Sequence, residues 1–330
     1  MIWLIGSENL LGKEVAELLN EKDIPFVSSD SELNMNIYEN LENFIKTKET
    51  ELYYTSHRNL RNPTDGKIDW IINTSSFFSS EKNGKSALNV ARISREHGAK
   101  LIHISDLACR DEEINSTITQ YYIIKTSNIF GKKTDGFLSK IITEINSKNS
   151  IAAADFDENL FTSAKDLSLL ILLIIEKARK ATKLFGKNSA LSYGEYIFTN
   201  KGKASSCNFL LYLCDELKKK KLLNNGCSIS PSSSADAYSI KDFYLSEKEL
   251  SSETDKADKA DEADEDDENE KNELSVKQEN TEKEDIENPL TDSSSQENEK
   301  NISQAHSLEF IEKELKIKIQ DWKEALKKSL

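Results

Sequence analysis

Short apolar runs alternate with helically spaced apolar positions along the first 150 residues. Met1–Gly6 is a nearly continuous apolar run closed by glycine and reads as a buried strand. Leu10–Asn20 puts Leu11, Val15, Leu18 and Leu19 on one side of a helix. Pro25–Ser28 reads as a second strand, ending at Asp30, and Ile37–Lys48 as a helix with Leu41, Phe44 and Ile45 at helical spacing. Glu51–Lys67 is polar, contains Pro63 and Asp65–Gly66, and reads as a loop insertion. Ile68–Asn73 is a strand running into the small-residue turn Thr74–Ser75–Ser76. Ala87–Glu96 is a helix stopped by Gly98, followed by strands at Lys100–Ser105 and Tyr121–Lys125 and a helix at Phe137–Asn146. Buried strands separated by amphipathic helices predict an α/β fold with a doubly wound parallel sheet.

The pattern loosens beyond residue 150. Ser163–Lys177 is a strongly apolar helix, Tyr196–Thr199 a short strand, and Cys207–Lys221 a helix with a basic end at Lys218–Lys221. Lysines at a helix C-terminus match the helix dipole and belong to a solvated face. Glu253–Ala305 lacks the large apolar residues needed to offset chain entropy and is expected to be disordered. Leu308, Ile311, Leu315, Ile319, Trp322 and Leu326 then form an apolar helical stripe, with a break expected near Ile317. The expected organisation is a dinucleotide-binding domain at 1–150 and a smaller α/β substrate-type domain at 151–250 plus 306–330. Between its two parts lies an acidic linker at 251–305.

Charge sharpens that division. The chain of 330 residues carries a net charge of −14, yet residues 251–300 alone hold 20 Asp and Glu against 6 Lys. The remainder is neutral, with 38 residues of each sign, so it has no overall field to draw nucleic acid. The acidic stretch suits either a solubilising insertion or a segment that tethers a protein partner. Cys109, Cys207, Cys214 and Cys227 form no C-x-x-C pair, and with four His there is no metal-site spacing. They read as reduced thiols in a cytoplasmic protein. The first apolar run is too short for a signal peptide, and the longest, Leu167–Ile175, is too short to span a bilayer.

The candidate chemistry begins at Gly6–Gly12. A buried strand entering a glycine turn and then a helix is how a Rossmann domain holds a dinucleotide pyrophosphate. Gly6 and Gly12 supply the tight turn and close packing, and the backbone at Asn9, Leu10 and Leu11 opens the helix toward the ligand. Asn9 stands where a middle glycine belongs, and is the least disruptive replacement if the position needs positive φ. Asp30 is placed to bind a ribose 2′-hydroxyl, favouring NAD over NADP, or else is a turn residue before Leu33. Asn73, Thr74, Ser75 and Ser76 would line the far side of the pyrophosphate.

With these stretches in place the chain resembles the dTDP-4-dehydrorhamnose reductase family, extended short-chain dehydrogenase/reductases acting on nucleotide sugars. Gly6–Gly12 is similar to its G-x-x-G-x-x-G less one glycine, and Ile68–Ser76 to its P-D-V-V-I-N-A-A-A. Gly98–Ser105 is similar to G-A-x-L-V-H-I-S, Lys125–Gly131 to R-T-S-W-L-Y-G, and Asp321–Leu326 to D-W-R-E-A-L. The resemblance implies an NAD(P)H-dependent reduction of a 4-keto nucleotide sugar, with Ser105 as the surviving active-site hydroxyl and Tyr121, Tyr122 or water as proton donor. The family also contains a non-catalytic case, the regulatory β subunit of methionine adenosyltransferase, so a dinucleotide-binding regulatory or scaffold subunit is the alternative.

The departures fall on the catalytic parts. After the His-Ile-Ser strand the family continues S-T-D-Y-V-F and then carries a Y-x-x-x-K helix. Here Ser105 is followed by Asp106–Asp111, and the next strand comes 20 residues later. Tyr121 and Lys125 do form a Y-x-x-x-K string. On a helix they would be neighbours about 6 Å apart. On a strand at about 3.3 Å per residue they lie roughly 13 Å apart, and the match to R-T-S reads as a strand. The D-Q-x-G-x-P-T and R-P-x-x-S motifs of the substrate domain have no counterpart at Asp155–Thr162 or Tyr238–Tyr244, where Lys241 is the nearest base.

Overall fold

The computed structural model describes residues 1–58, 66–78, 84–109, 111–132, 136–183, 191–223, 226–240 and 305–330; the side chains of 55–58, 76, 78 and 181–183 lie outside it. The chain runs β1 (Ile2–Ile5), α1 (Leu10–Glu21), β2 (Phe26–Ser29), α2 (Tyr38–Arg58), β3 (Trp70–Asn73), α3 (Ser75–Phe78) and α4 (Lys85–His97). It continues through β4 (Lys100–Asp106), α5 (Glu112–Thr117), β5 (Tyr121–Thr126), β6 (Ile129–Phe130), α6 (Gly136–Ser147), β7 (Ser150–Ala154) and β8 (Thr162–Ser163). The rest is α7 (Ala164–Lys183), β9 (Gly194–Ile197), α8 (Ser206–Lys219), β10 (Ser228–Ser232), α9 (Leu308–Leu315) and α10 (Trp322–Ser329).

Six strands form one parallel sheet in the order β2-β1-β3-β4-β5-β9. Side chains alternate between its faces. Ile2, Leu4, Trp70, Ile72, Ile102, Ile104, Tyr122 and Ile124 meet α1 and α7 on one side. Trp3, Ile5, Ile71, Leu101 and Ile123 meet α2, α4 and α5 on the other. Both faces are covered, which is why these strands read as apolar runs instead of alternating. The order reverses between β1 and β3: β2 lies to one side of β1 and all later strands to the other. A crevice at such a switch point, above the C-terminal strand ends, is where ligands bind open α/β sheets.

A second core gathers α6, β7, β10, α8 and α10 around Phe161, Phe209 and Trp322, whose rings lie 4.4 to 5.5 Å apart. The division expected at residue 150 is not where the two cores divide. Helix α6 precedes that point yet belongs to the second core, and α7, β9 and α9 follow it yet pack with the main sheet. Strand β9 takes the free edge of β5, satisfying backbone groups that would otherwise form an unpaired sheet edge.

The expected loop at 51–67 is corrected over its first half: α2 continues to Arg58. No glycine or proline interrupts it there, and Glu49 on its inner side accepts the Ile68 N–H at 3.0 Å. Residues 59–65 lie outside the described residues, as does 241–304, which holds nearly all of the acidic linker and Lys241. On either side of that segment the chain is pinned. Ile240 is fully buried, and His306 exchanges backbone hydrogen bonds with Glu195 and Ile197 at the β9 edge. The break expected near Ile317 falls at Lys316, where a left-handed residue at φ 54° ends α9. All four cysteines are buried, free thiols. No described helix is long and apolar enough to cross a membrane.

Candidate functional site

The crevice begins at Gly6, whose φ of +81° suits glycine and turns the chain from β1 toward α1. Gly12, one turn into the helix, faces the Gly6 carbonyl so closely that a Cβ there would lie 2.0 Å from its oxygen. Leu10 and Leu11 point into the core, so only their backbone opens toward the crevice.

Asn9 departs from expectation in its reason for being there. Its φ is −73° and ψ 167°, so tolerance of positive φ plays no part. It is instead the N-cap of α1, favoured because its side-chain oxygen satisfies a helix-terminal N–H. Oδ1 accepts from Gly12 N at 2.8 Å, and Nδ2 donates to Thr74 Oγ1 at 2.9 Å. Thr74 Oγ1 sits 2.9 Å from the Ile5 carbonyl and 3.1 Å from that of Gly6. The ends of β1 and β3 are thereby joined across the switch point by side chains.

Asp30 stands just past β2, and one carboxylate oxygen accepts the Glu32 N–H at 3.0 Å, the bond of a turn residue. Asn73 is fully buried beneath the crevice, and Ser75 is half-buried at its edge. The Ser76 side chain is outside the described residues. Gly6, Asn9, Gly12, Thr74 and Ser75 therefore lie together, with Asp30 at the neighbouring strand end.

The catalytic candidates do not assemble in the same way. Tyr121 and Lys125 are both on β5, at opposite ends of one face, so the pair is not a helical neighbour pair. Tyr122 lies on the other face, stacked on Trp70 and donating to the Leu191 carbonyl at 3.0 Å. Ser105, at 2 % exposure, donates to Asp111 Oδ1 at 3.1 Å. Lys125, at 4 % side-chain exposure, lies 3.1 Å from Asp111 Oδ2 and 3.4 Å from Glu195 Oε2, and donates to the Cys109 carbonyl at 2.7 Å. Asn115 of α5 donates to the other Glu195 oxygen at 2.5 Å.

Burial opposes the Lys125 ammonium, but Asp111 and Glu195 outweigh it and raise the pKa. Burial, with Glu195 assisting, also raises the Tyr121 phenol. A proton-donating tyrosine needs the opposite shift, supplied by an adjacent free ammonium. Here that ammonium is enclosed by two carboxylates.

Asp111, Glu195, Asn115 and the buried His103 were missed in the sequence. Asp111 carries a weak signal, preceding Glu112–Glu113 at a helix start; Glu195 carries none, since it reaches Lys125 only because β9 pairs with β5. The glycine turn fits the pyrophosphate half of a dinucleotide. The residues beyond Ser105 do not fit hydride transfer through a Tyr–Lys pair.

No protein-family model matches the sequence, and no curated protein matches it. Solved structures do. A dTDP-4-dehydrorhamnose reductase from Clostridium acetobutylicum superposes with a TM-score of 0.54 at 14% identity, over 72% of this chain and 86% of that one. That from Yersinia enterocolitica gives 0.52 at 17% identity, over 70% and 83%. That from Bacillus anthracis, solved in complex with NADP, gives 0.50 at 18%, over 72% and 85%. The likeness is one of architecture: the chain has the Rossmann-type α/β fold of the dTDP-4-dehydrorhamnose reductases.

Proposed function

We propose that this chain binds a nicotinamide dinucleotide at the β1/β3 crevice and acts by binding, as a regulatory or scaffold relative of the nucleotide-sugar reductases. The observation that carries it is the glycine turn, where Gly6 at φ +81° and Gly12 against the Gly6 carbonyl keep the approach to the α1 N-terminus free of side-chain carbon. Gly6, Asn9, Leu10, Leu11 and Gly12 hold the pyrophosphate, and Asp30 favours NAD over NADP by meeting the ribose 2′-hydroxyl. When bound, the dinucleotide would offer a hydride; Ser105 and Lys125 are engaged with Asp111, and Tyr121, its phenol raised by burial, has no free ammonium beside it to assist proton donation. The fold likeness favours a second reading, reduction of a keto nucleotide sugar, with the smaller core supplying the substrate face.

Titration with NADH, followed by fluorescence of Trp3 and Trp70 on β1 and β3, tests the first reading. Saturable binding is expected, tightened in Asn9→Gly, which frees the Gly12 N–H now held by the Asn9 side chain to meet the pyrophosphate. One such hydrogen bond of about 1 kcal/mol corresponds to roughly fivefold in affinity. If neither protein binds NADH or NADPH, the dinucleotide site is wrong. Ketone-dependent oxidation of NADH that vanishes in Tyr121→Phe would establish the second reading instead.

A further inference from the structure

His103 interrupts the apolar run Leu101–Ile104 of β4, and its ring is fully buried. Burial drives its pKa down to about 4; Asp111 pulls the other way and Lys125 adds to the depression. The imidazole is therefore neutral near pH 7, with a single N–H. Asn73 decides which nitrogen carries it. Asn73 Oδ1 accepts both the Ser75 N–H at 3.1 Å and the Ser75 hydroxyl at 2.7 Å. The amide nitrogen is then the atom turned toward His103 Nδ1, at 3.3 Å. An amide nitrogen only donates, so Nδ1 accepts and the proton sits on Nε2. Among the described residues Nε2 has no hydrogen-bond partner.

The bond from Ser75 N–H to Asn73 Oδ1 closes an Asx turn at the exit of β3. Ser75 N lies 3.0 Å from the point where a Cβ on Gly6 would stand, which puts the turn at the crevice wall. The Ser75 hydroxyl has one proton, and two protein acceptors are in reach of it, Asn73 Oδ1 at 2.7 Å and the Met35 sulfur at 3.6 Å.

We infer that His103 is a positioning residue of the crevice: by accepting from Asn73 it locks the Asx turn and leaves Ser75 Oγ facing the ligand as an acceptor only. An acceptor meets a ribose hydroxyl or a base amino group and is repelled by a phosphate oxygen. Ser75 therefore contacts the nucleoside part of the ligand, not the pyrophosphate expected from the sequence. The contact rests on the nucleotide reading above; the His103–Asn73–Ser75 relay exists without ligand.

Amide hydrogen exchange at Ser75, read by NMR in the full-length protein, tests the relay in wild type, His103→Leu and His103→Gln. Glutamine keeps an acceptor for Asn73 Nδ2; leucine removes it. Slow exchange is expected in wild type and His103→Gln, and about tenfold faster exchange in His103→Leu. NADH affinity should fall in the Leu variant and return in the Gln variant. Equal Ser75 exchange in the two variants overturns the relay, whatever NADH does. The expected exchange pattern with no NADH binding in any protein sinks the dinucleotide reading and leaves the relay standing. Should the Leu variant not fold, the ¹⁵N shifts of His103 in wild type decide: protonation at Nε2 supports the relay and protonation at Nδ1 overturns it.

Discussion

At Gly12 a single methyl group is the difference between a closed and an open turn. Alanine would ordinarily help a helix by about 1 kcal/mol over glycine, yet its Cβ would overlap the Gly6 carbonyl. Gly12→Ala should therefore destabilise by about 2 kcal/mol, seen as a lower urea midpoint at unchanged slope. A stabilised variant would show that α1 can slide off β1 at no cost. His103 makes a second residue-scale prediction. Its folded pKa of about 4 lies below the ordinary 6.5, so the unfolded chain takes up the proton first as pH falls. Its contribution is present in full above about pH 6.5 and is lost down to about pH 4, an effect on the order of 3 kcal/mol. Thermal melts of His103→Gln should lose less stability between pH 7 and pH 4.5 than wild type does. A parallel decline in both proteins would place the acid sensitivity elsewhere. The glycine turn and Asn9 were legible because their spacing is local. The histidine was not, because its tautomer and burial depend on a strand thirty residues upstream.

The elements themselves were largely legible, since strand and helix periods are written in consecutive residues. Strands β1 and β3 fall within the runs that predict them, and β4 and β5 each run one residue further, to Asp106 and Thr126. Helix α2 looks shorter in the sequence than it is, because polar side chains on an outer face resemble a loop when the inner contacts are unknown. Helix α5 was missed for the opposite reason: six residues give too little period to see. Yet α5 and β9 build the network that encloses Lys125. Lys125→Met would leave Asp111 and Glu195 facing each other without a cation, at a cost of about 3–5 kcal/mol. Adding Asp111→Asn and Glu195→Gln to Lys125→Met should recover more than half of that loss in denaturant unfolding. No recovery would mean that Lys125 acts through packing alone.

For the whole molecule, the acidic segment leaves after a buried Ile240 and returns at a His306 packed against Tyr196 and stacked on Phe310, at ring separations of 4.8 and 4.2 Å. Both ends are held by the folded parts. Removing 253–304 while keeping His306 should hold the melting temperature or raise it slightly, since closing a shorter loop costs about 1 kcal/mol less. A drop of many degrees would show that the segment packs on the rest. Sequence alone determined the parallel α/β class, the glycine turn, the neutral body and its acidic insertion. Those follow from period, local spacing and charge counts, which need no neighbours in space. Tertiary structure alone decided how the two cores divide, that Asn9 and Thr74 join across the switch point, and that Lys125 is enclosed by Asp111 and Glu195. These depend on strand order and register, which bring together residues far apart in the chain.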